Sequence, residues 1–135
     1  MTRDGTNHGA CASADGATCG SASFDTGWIV FVDQDGDATV DAGDTVLRAF
    51  PEVDAAIDIT ATDLGGNAAT SFTFTAASVG TGAAGELATA TICDDRGNRV
   101  AAGGQSSARL LIITPLGRST VLRDAVQIAN RGGCP

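Results

Sequence analysis

A chain of 135 residues with a formal net charge of −8 has the length for one domain with its own core, and no linker divides it into two. Apolar residues make up 43%, but Ala supplies much of that share and the aromatics are five Phe and Trp28, so the core is expected to be lean. No run approaches the roughly 20 apolar residues that span a bilayer, and Met1 leads into TRDGTNHGA without a signal-peptide core, so export would require a targeting segment outside this sequence.

Residues 1–24 are rich in Gly, Ala, Ser, Asp and Thr and read as a loop-rich segment with room for one short strand. The first firm element is GWIVFVD, Gly27 to Asp33, too short and too β-branched for a helix and apolar enough for a strand covered on both faces. An acidic loop follows, and TVLRAF, Thr45 to Phe50, is the return strand that Pro51 ends, which makes a hairpin. Further strands are predicted at Ala56 to Thr60, Ser71 to Thr75, Leu87 to Cys93, Ala108 to Thr114 and Ser119 to Asp124, separated by Gly-rich breaks. DAVQIANR near the C-terminus makes one helical turn or two, and no long amphipathic helix is expected. The whole is a single, mainly β domain, either a sandwich or barrel or a sheet without its covering helix.

Four Cys stand at positions 11, 19, 93 and 134, with no CxxC and no second His for a metal site. An even count in a lean domain favours two disulfides, and so the periplasm or the cell exterior. Of three connectivities the preferred one closes a small loop with Cys11–Cys19 and pins the C-terminus with Cys93–Cys134; buried free thiols are the alternative.

Charge is unevenly spread. Residues 1–95 hold two Arg and 15 of the 16 acids, whereas residues 96–135 hold six Arg and only Asp124. There is no Lys, so every side-chain cation is a planar guanidinium suited to carboxylate or phosphate. The acidic peak is Asp33, Asp35, Asp37, Thr39, Asp41 and Asp44, the ligand spacing of an EF-hand calcium loop, with Thr39 contributing a carbonyl and Val40 in the hydrophobic place. Two positions depart from that template: Ala38 replaces the turn Gly, and Asp44 the longer Glu. Strands rather than helices flank it, so Ca²⁺ would serve structure, and the competing reading is a solvated loop using Asp and Gly for turns.

No enzyme signature emerges. His8 is the sole His, in a segment expected at the surface, and Asp94 with Asp95 sit in a turn composition rather than an acid–base pair. Phosphate-binding glycine loops with their following helix are absent. The six C-terminal Arg, namely Arg96, Arg99, Arg109, Arg118, Arg123 and Arg131, could grip a phosphate backbone in a salt-dependent way, or pair with the Asp of the first two-thirds.

GWIVFVDQDGDATVDAGDTVLR, the central TICDDRGN, RLLIITPLGRSTVLRD and the final Cys134 together resemble the globular domain of the FimT/GspH family of type IV pilin-like proteins, over about Cys11 to Cys134. The resemblance implies a pilin-like antiparallel β-sheet head lacking its N-terminal helix, the helix being what would anchor the subunit in the membrane. It implies a minor pilin of a type IV pilus, FimT-like, that helps to prime or cap the filament among other pilin subunits, on the periplasmic side of the inner membrane or on a surface pilus. The alternative is a GspH-like minor pseudopilin of a type II secretion system. Some FimT-like members bind double-stranded DNA for natural transformation through a GRxR motif. Gly117 and Arg118 match its first half, Thr120 stands in place of the second Arg, and Arg123 and Arg131 are the nearby cations that complete the candidate set.

Overall fold

The strand Trp28–Asp33 shows how this chain divides its residues. Ile29, Phe31 and Asp33 are buried outright, while Trp28, Val30 and Val32 on the opposite face are half-buried, as a side-chain period of two requires. The strand starts at Trp28 rather than Gly27, because Gly27 turns the chain at φ +115 and a Cβ there would sit 2.6 Å from the Phe50 carbonyl oxygen.

A computed structural model describes residues 7–37, 39–74, 87–114, 118–131 and 133–134. Its elements are β1 (Asn7–Ala12), a 3-10 turn (Phe24–Thr26), β2 (Trp28–Asp33), β3 (Thr45–Phe50), β4 (Asp58–Thr62), β5 (Ser71–Phe74), β6 (Thr89–Cys93), β7 (Gln105–Ile113), β8 (Ser119–Asp124) and α1 (Ala125–Asn130). Two four-stranded antiparallel sheets result, sheet A in the order β3-β2-β1-β5 and sheet B in the order β4-β6-β7-β8. The protein is therefore mainly β, with both preferred disulfides formed, Cys11–Cys19 and Cys93–Cys134. No helix among the described residues is long and apolar enough to cross a membrane.

The N-terminal segment does more than its loop-rich composition announces. β1 is an interior strand of sheet A, between β2 and β5. NHGACA has no β-branched residue, and tertiary fit makes it a strand: Gly9 pairs with Phe31, and a Cβ on Gly9 would lie 2.6 Å from the Phe31 ring. His8 accordingly sits between Val32 and Phe74 in the sheet, half-buried, instead of at a free surface. β7 also begins earlier than its apolar run, at Gln105, and carries a register shift between Gln105 and Leu110. Arg109 stabilises that bulge by donating from Nη1 to the carbonyls of Ser106, Ser107 and Ala108.

Three small clusters form the core. One, at the junction of the sheets, is largely Ala (Ala12, Ala61, Ala69, Ala90) with Phe24, the lean packing its composition foretold. The second lies between sheet B and α1 and holds Cys93, Ala108, Leu110 and Ile128. The third places Cys11, Ile29 and Phe31 beneath Cys19, Val40 and Val46. Burying side chains such as Ile29, Phe31 or Leu110 contributes about 1.5–3 kcal/mol each.

Ala69 N–H donates to the Ala61 carbonyl and Leu87 N–H to Ser71, so the outer edges of β4 and β5 are each bonded to a neighbouring segment, while Ala12 N–H to Thr70 and Ala88 N–H to Thr62 extend the β1–β5 and β4–β6 ladders. β3 and β8 remain at the two far edges.

Candidate functional site

The acidic loop leaves β2 at Asp33 and returns to β3 after Asp44, and Val40 pins it onto the Phe31 cluster. Side chains organise it from within. Asp33 Oδ1 accepts from Gly36 N–H at 2.8 Å, Asp37 Oδ1 from Thr39 N–H at 2.9 Å, and Asp44 accepts from Gln34 N–H at 2.8 Å and Asp41 N–H at 3.1 Å. Asp33, Asp35, Asp37 and Asp44 each offer an oxygen within 4.8 Å of the others. Thr39 and Asp41, the remaining residues of the EF-hand spacing, are exposed, and the Asp41 carboxylate lies outside that group of four.

Crowding changes the protonation of the loop. Partial desolvation, with the charges of Asp35, Asp44 and Asp37, pushes the exposed Asp41 carboxyl up to about 6. Asp35 is likewise raised, by desolvation first and by its Asp33 and Asp37 neighbours. The contrast is Asp15 in the Cys11–Cys19 loop, held well below the usual carboxylate range by the Thr18 hydroxyl, the Ala17 and Thr18 amides and the Ser13 hydroxyl.

A second charged region forms at the end of sheet B where β6 leaves and β8 passes into α1. Asn98 Nδ2 donates to the Ala125 carbonyl at 3.0 Å, Val100 bridges to Ser106, and Asp124 caps α1 by accepting from Val126 and Gln127 N–H. These contacts fasten the turn that carries Arg96 and Arg99 to the junction of β8 and α1, and Cys93–Cys134 ties Cys134 to β6. Arg118 lies at the opposite end of β8, roughly 17 Å along the strand from Arg123, and its backbone is bonded to Thr114. Gly117 falls outside the described residues.

The six cations are unequally committed. Arg96 forks onto Asp94, with Nη2 2.7 Å from Oδ2, and this pairing holds the Asp94 carboxyl below its usual range. Asp94 is thereby occupied in an ion pair rather than set beside Asp95 for acid–base work. Arg109 is folded onto the β7 carbonyls. Arg99, Arg118, Arg123 and Arg131 are exposed, and among the described residues none of them has an ion-pair partner. Sequence reasoning counted Arg99 in the basic tail without placing it in the candidate set; the missing signal was long-range, since the Asn98–Ala125 contact spans 27 residues.

The described residues form a two-sheet β domain cross-linked by two disulfides and carrying charged loops. The family model described as type II transport protein GspH matches residues 3–117, and the chain belongs to that family. The family is a structural, pilin-like one whose members act as minor pilins or pseudopilins among other such subunits, associated with the periplasm and inner membrane. No curated protein and no solved structure matches the chain significantly.

Proposed function

We propose that the chain is the head of a FimT-like minor pilin of a type IV pilus, on the periplasmic side of the inner membrane or in the surface filament, where it helps to prime or cap assembly and binds double-stranded DNA for uptake. The observation that carries this reading is the set of exposed guanidinium groups without acidic partners among the described residues, Arg99, Arg123 and Arg131 near one end of sheet B and Arg118 further along β8. A chain of net charge −8 that keeps such cations unpaired on its C-terminal third has a local surface for phosphate despite its overall sign. A gel shift with duplex DNA at low and raised salt tests the DNA role. Retention at low salt that falls steeply with salt supports it, and no retention at low salt overturns it. A gene deletion separates the two machines: lost piliation and transformation is the pilus outcome, and lost protein secretion with intact pili would assign the chain to a type II pseudopilus instead.

The acidic loop supports a second, structural proposal, one Ca²⁺ held by Asp33, Asp35, Asp37 and Asp44, with Thr39 and Asp41 completing the shell. Four convergent carboxylates, one of them 1% exposed, repel one another unless neutralised. Calcium in place of chelator should raise Tm, because an ion that binds the folded loop stabilises it by mass action. An unchanged Tm at millimolar Ca²⁺ would remove the proposal.

A further inference from the structure

The C-terminal segment 125–134 covers sheet B with little of its own to hold it there. α1 (Ala125–Asn130) is six residues long, well short of the roughly 12–15 that keep a helix formed in isolation, so its order has to come from packing. That packing is narrow: Ala125 and Ile128 are buried, and the other four residues of α1 are exposed. Its hydrogen bonds to the rest of the fold sit at its first residue, where Ala125 N–H donates to the Gly104 carbonyl and the Ala125 carbonyl accepts from Asn98. Past Ala125, the hydrogen bonds among the described residues run to Asp124 or stay within the segment, as from Arg131 N–H and Gly133 N–H to the Ile128 carbonyl.

What fastens the segment beyond Ala125 is therefore one apolar side chain, Ile128 on Cys93, Ala108 and Leu110, together with the Cys93–Cys134 bond. One such contact stands against the backbone freedom of every residue that docking orders. The cross-link tips that balance, because it keeps the far end of the segment at β6 and so reduces the freedom that docking removes. The Cys11–Cys19 loop is held differently. Cys11 is buried inside β1, and Asp15 organises the loop by accepting from the Ala17 and Thr18 amides and from the Ser13 and Thr18 hydroxyls.

We propose that residues 125–134 form a thiol-operated strap, closed over Leu110 while Cys93–Cys134 is oxidised and released, with both sheets intact, when that bond is reduced. Cys93 is 2% exposed and Cys134 half-buried, so Cys134 Sγ is the sulfur an incoming thiolate reaches. Attack there forms a mixed disulfide, and the electron pair of the broken S–S bond leaves on Cys93 Sγ, which takes up a proton. A second thiolate of the reductant attacks the reductant sulfur of the mixed disulfide and frees Cys134. Two reductant thiols thus become one disulfide, and the chain gains two thiols. A disulfide oxidant of an oxidising compartment runs the same exchange in reverse and closes the strap. Release uncovers Ala108, Leu110 and the Cys93 thiol, all buried in the closed form.

Cys134→Ser in the whole chain reproduces the released state without reductant and keeps Cys11–Cys19. Hydrogen exchange and alkylation of Cys93 by iodoacetamide read it out. The amides of Val126 to Arg131 should lose protection while those of β2 and β6 keep it. Cys93 should react within about tenfold of its rate in the urea-unfolded chain, which bounds any residual docking at about 1.4 kcal/mol. The parent chain treated with dithiothreitol should show the same local loss, reversed on reoxidation, and this second sample keeps the test decisive where the variant fails to fold. Two results overturn the proposal. One is an α1 that stays protected in Cys134→Ser with Cys93 blocked beyond that tenfold. The other is β2 and α1 losing protection together in both samples.

Discussion

The two sheets are covered by opposite means. Sheet A lies beneath a charged loop anchored by the half-buried Val40 and a small loop closed by Cys11–Cys19. Sheet B lies beneath α1, whose Ile128 is fully buried, and is fastened by Cys93–Cys134 across 41 residues. The difference teaches that one cover rests on apolar contact and a long-range covalent tie, while the other rests on turn hydrogen bonds within a crowd of carboxylates. Stability should therefore be concentrated in the sheet B cover, and responsiveness to pH and ions in the sheet A cover.

The largest expected effect breaks the covalent half of that contrast. Replacing Cys93 and Cys134 together by Ser should cost about 4 kcal/mol by loop entropy, against about 2.5 kcal/mol for Cys11 and Cys19, because the closed segments span 41 and 8 residues. Urea unfolding of the two double variants measures both, and a reversed order would mean that native packing, not chain entropy, sets their worth. Next comes the apolar half. Ile128→Ala should cost about 3 kcal/mol by opening a cavity against Leu110 and Ala108, while Val40→Ala, at a half-buried site, should cost about 1 kcal/mol. Equal losses would remove the distinction between the covers.

A smaller effect probes the electrostatics of the sheet A cover. The folded-state value of Asp41 lies above its ordinary one, so its ionised form opposes folding when the pH is above about 6, and that penalty is relieved as pH falls through 6. Asp15 and Asp94 are shifted the other way, so their contribution is lost only below the ordinary carboxylate range. Between pH 7 and 5, in the presence of chelator, Tm should therefore rise by a small amount, and Asp41→Asn should flatten that rise. A Tm that falls over this window in the parent chain would contradict the account of the loop. The smallest effect is expected at Arg96→Gln: its pair with Asp94 is solvent-exposed, and Tm should not move beyond measurement error.

Local chemistry made much of this fold legible. Thr45–Phe50 ends before Pro51 as expected, Ser119–Asp124 keeps its expected bounds, and the short terminal helix falls within DAVQIANR. The strand predicted at Ala56 to Thr60 lies two residues later, at Asp58–Thr62, where it pairs with β6 through Ile59 and Ala61. β1 was the main omission as an interior strand, since its strand character depends on the ring of Phe31 filling the space above Gly9. The acidic loop was visible as a ligand spacing, yet the spacing did not show which of its carboxylates bring oxygens within 4.8 Å of one another. Among the cations, sequence alone could not tell Arg109, spent on a bulge, from Arg123, left exposed.

By itself the sequence determined the mainly β character, the hairpin around the acidic loop and the uneven charge, because β-branching, turn residues and charge act over a few neighbours. The tertiary structure alone decided that two sheets form, that β1 lies inside one of them and which guanidinium groups lack an ion-pair partner among the described residues. Those outcomes depend on pairings between residues tens of positions apart, and no local preference encodes them.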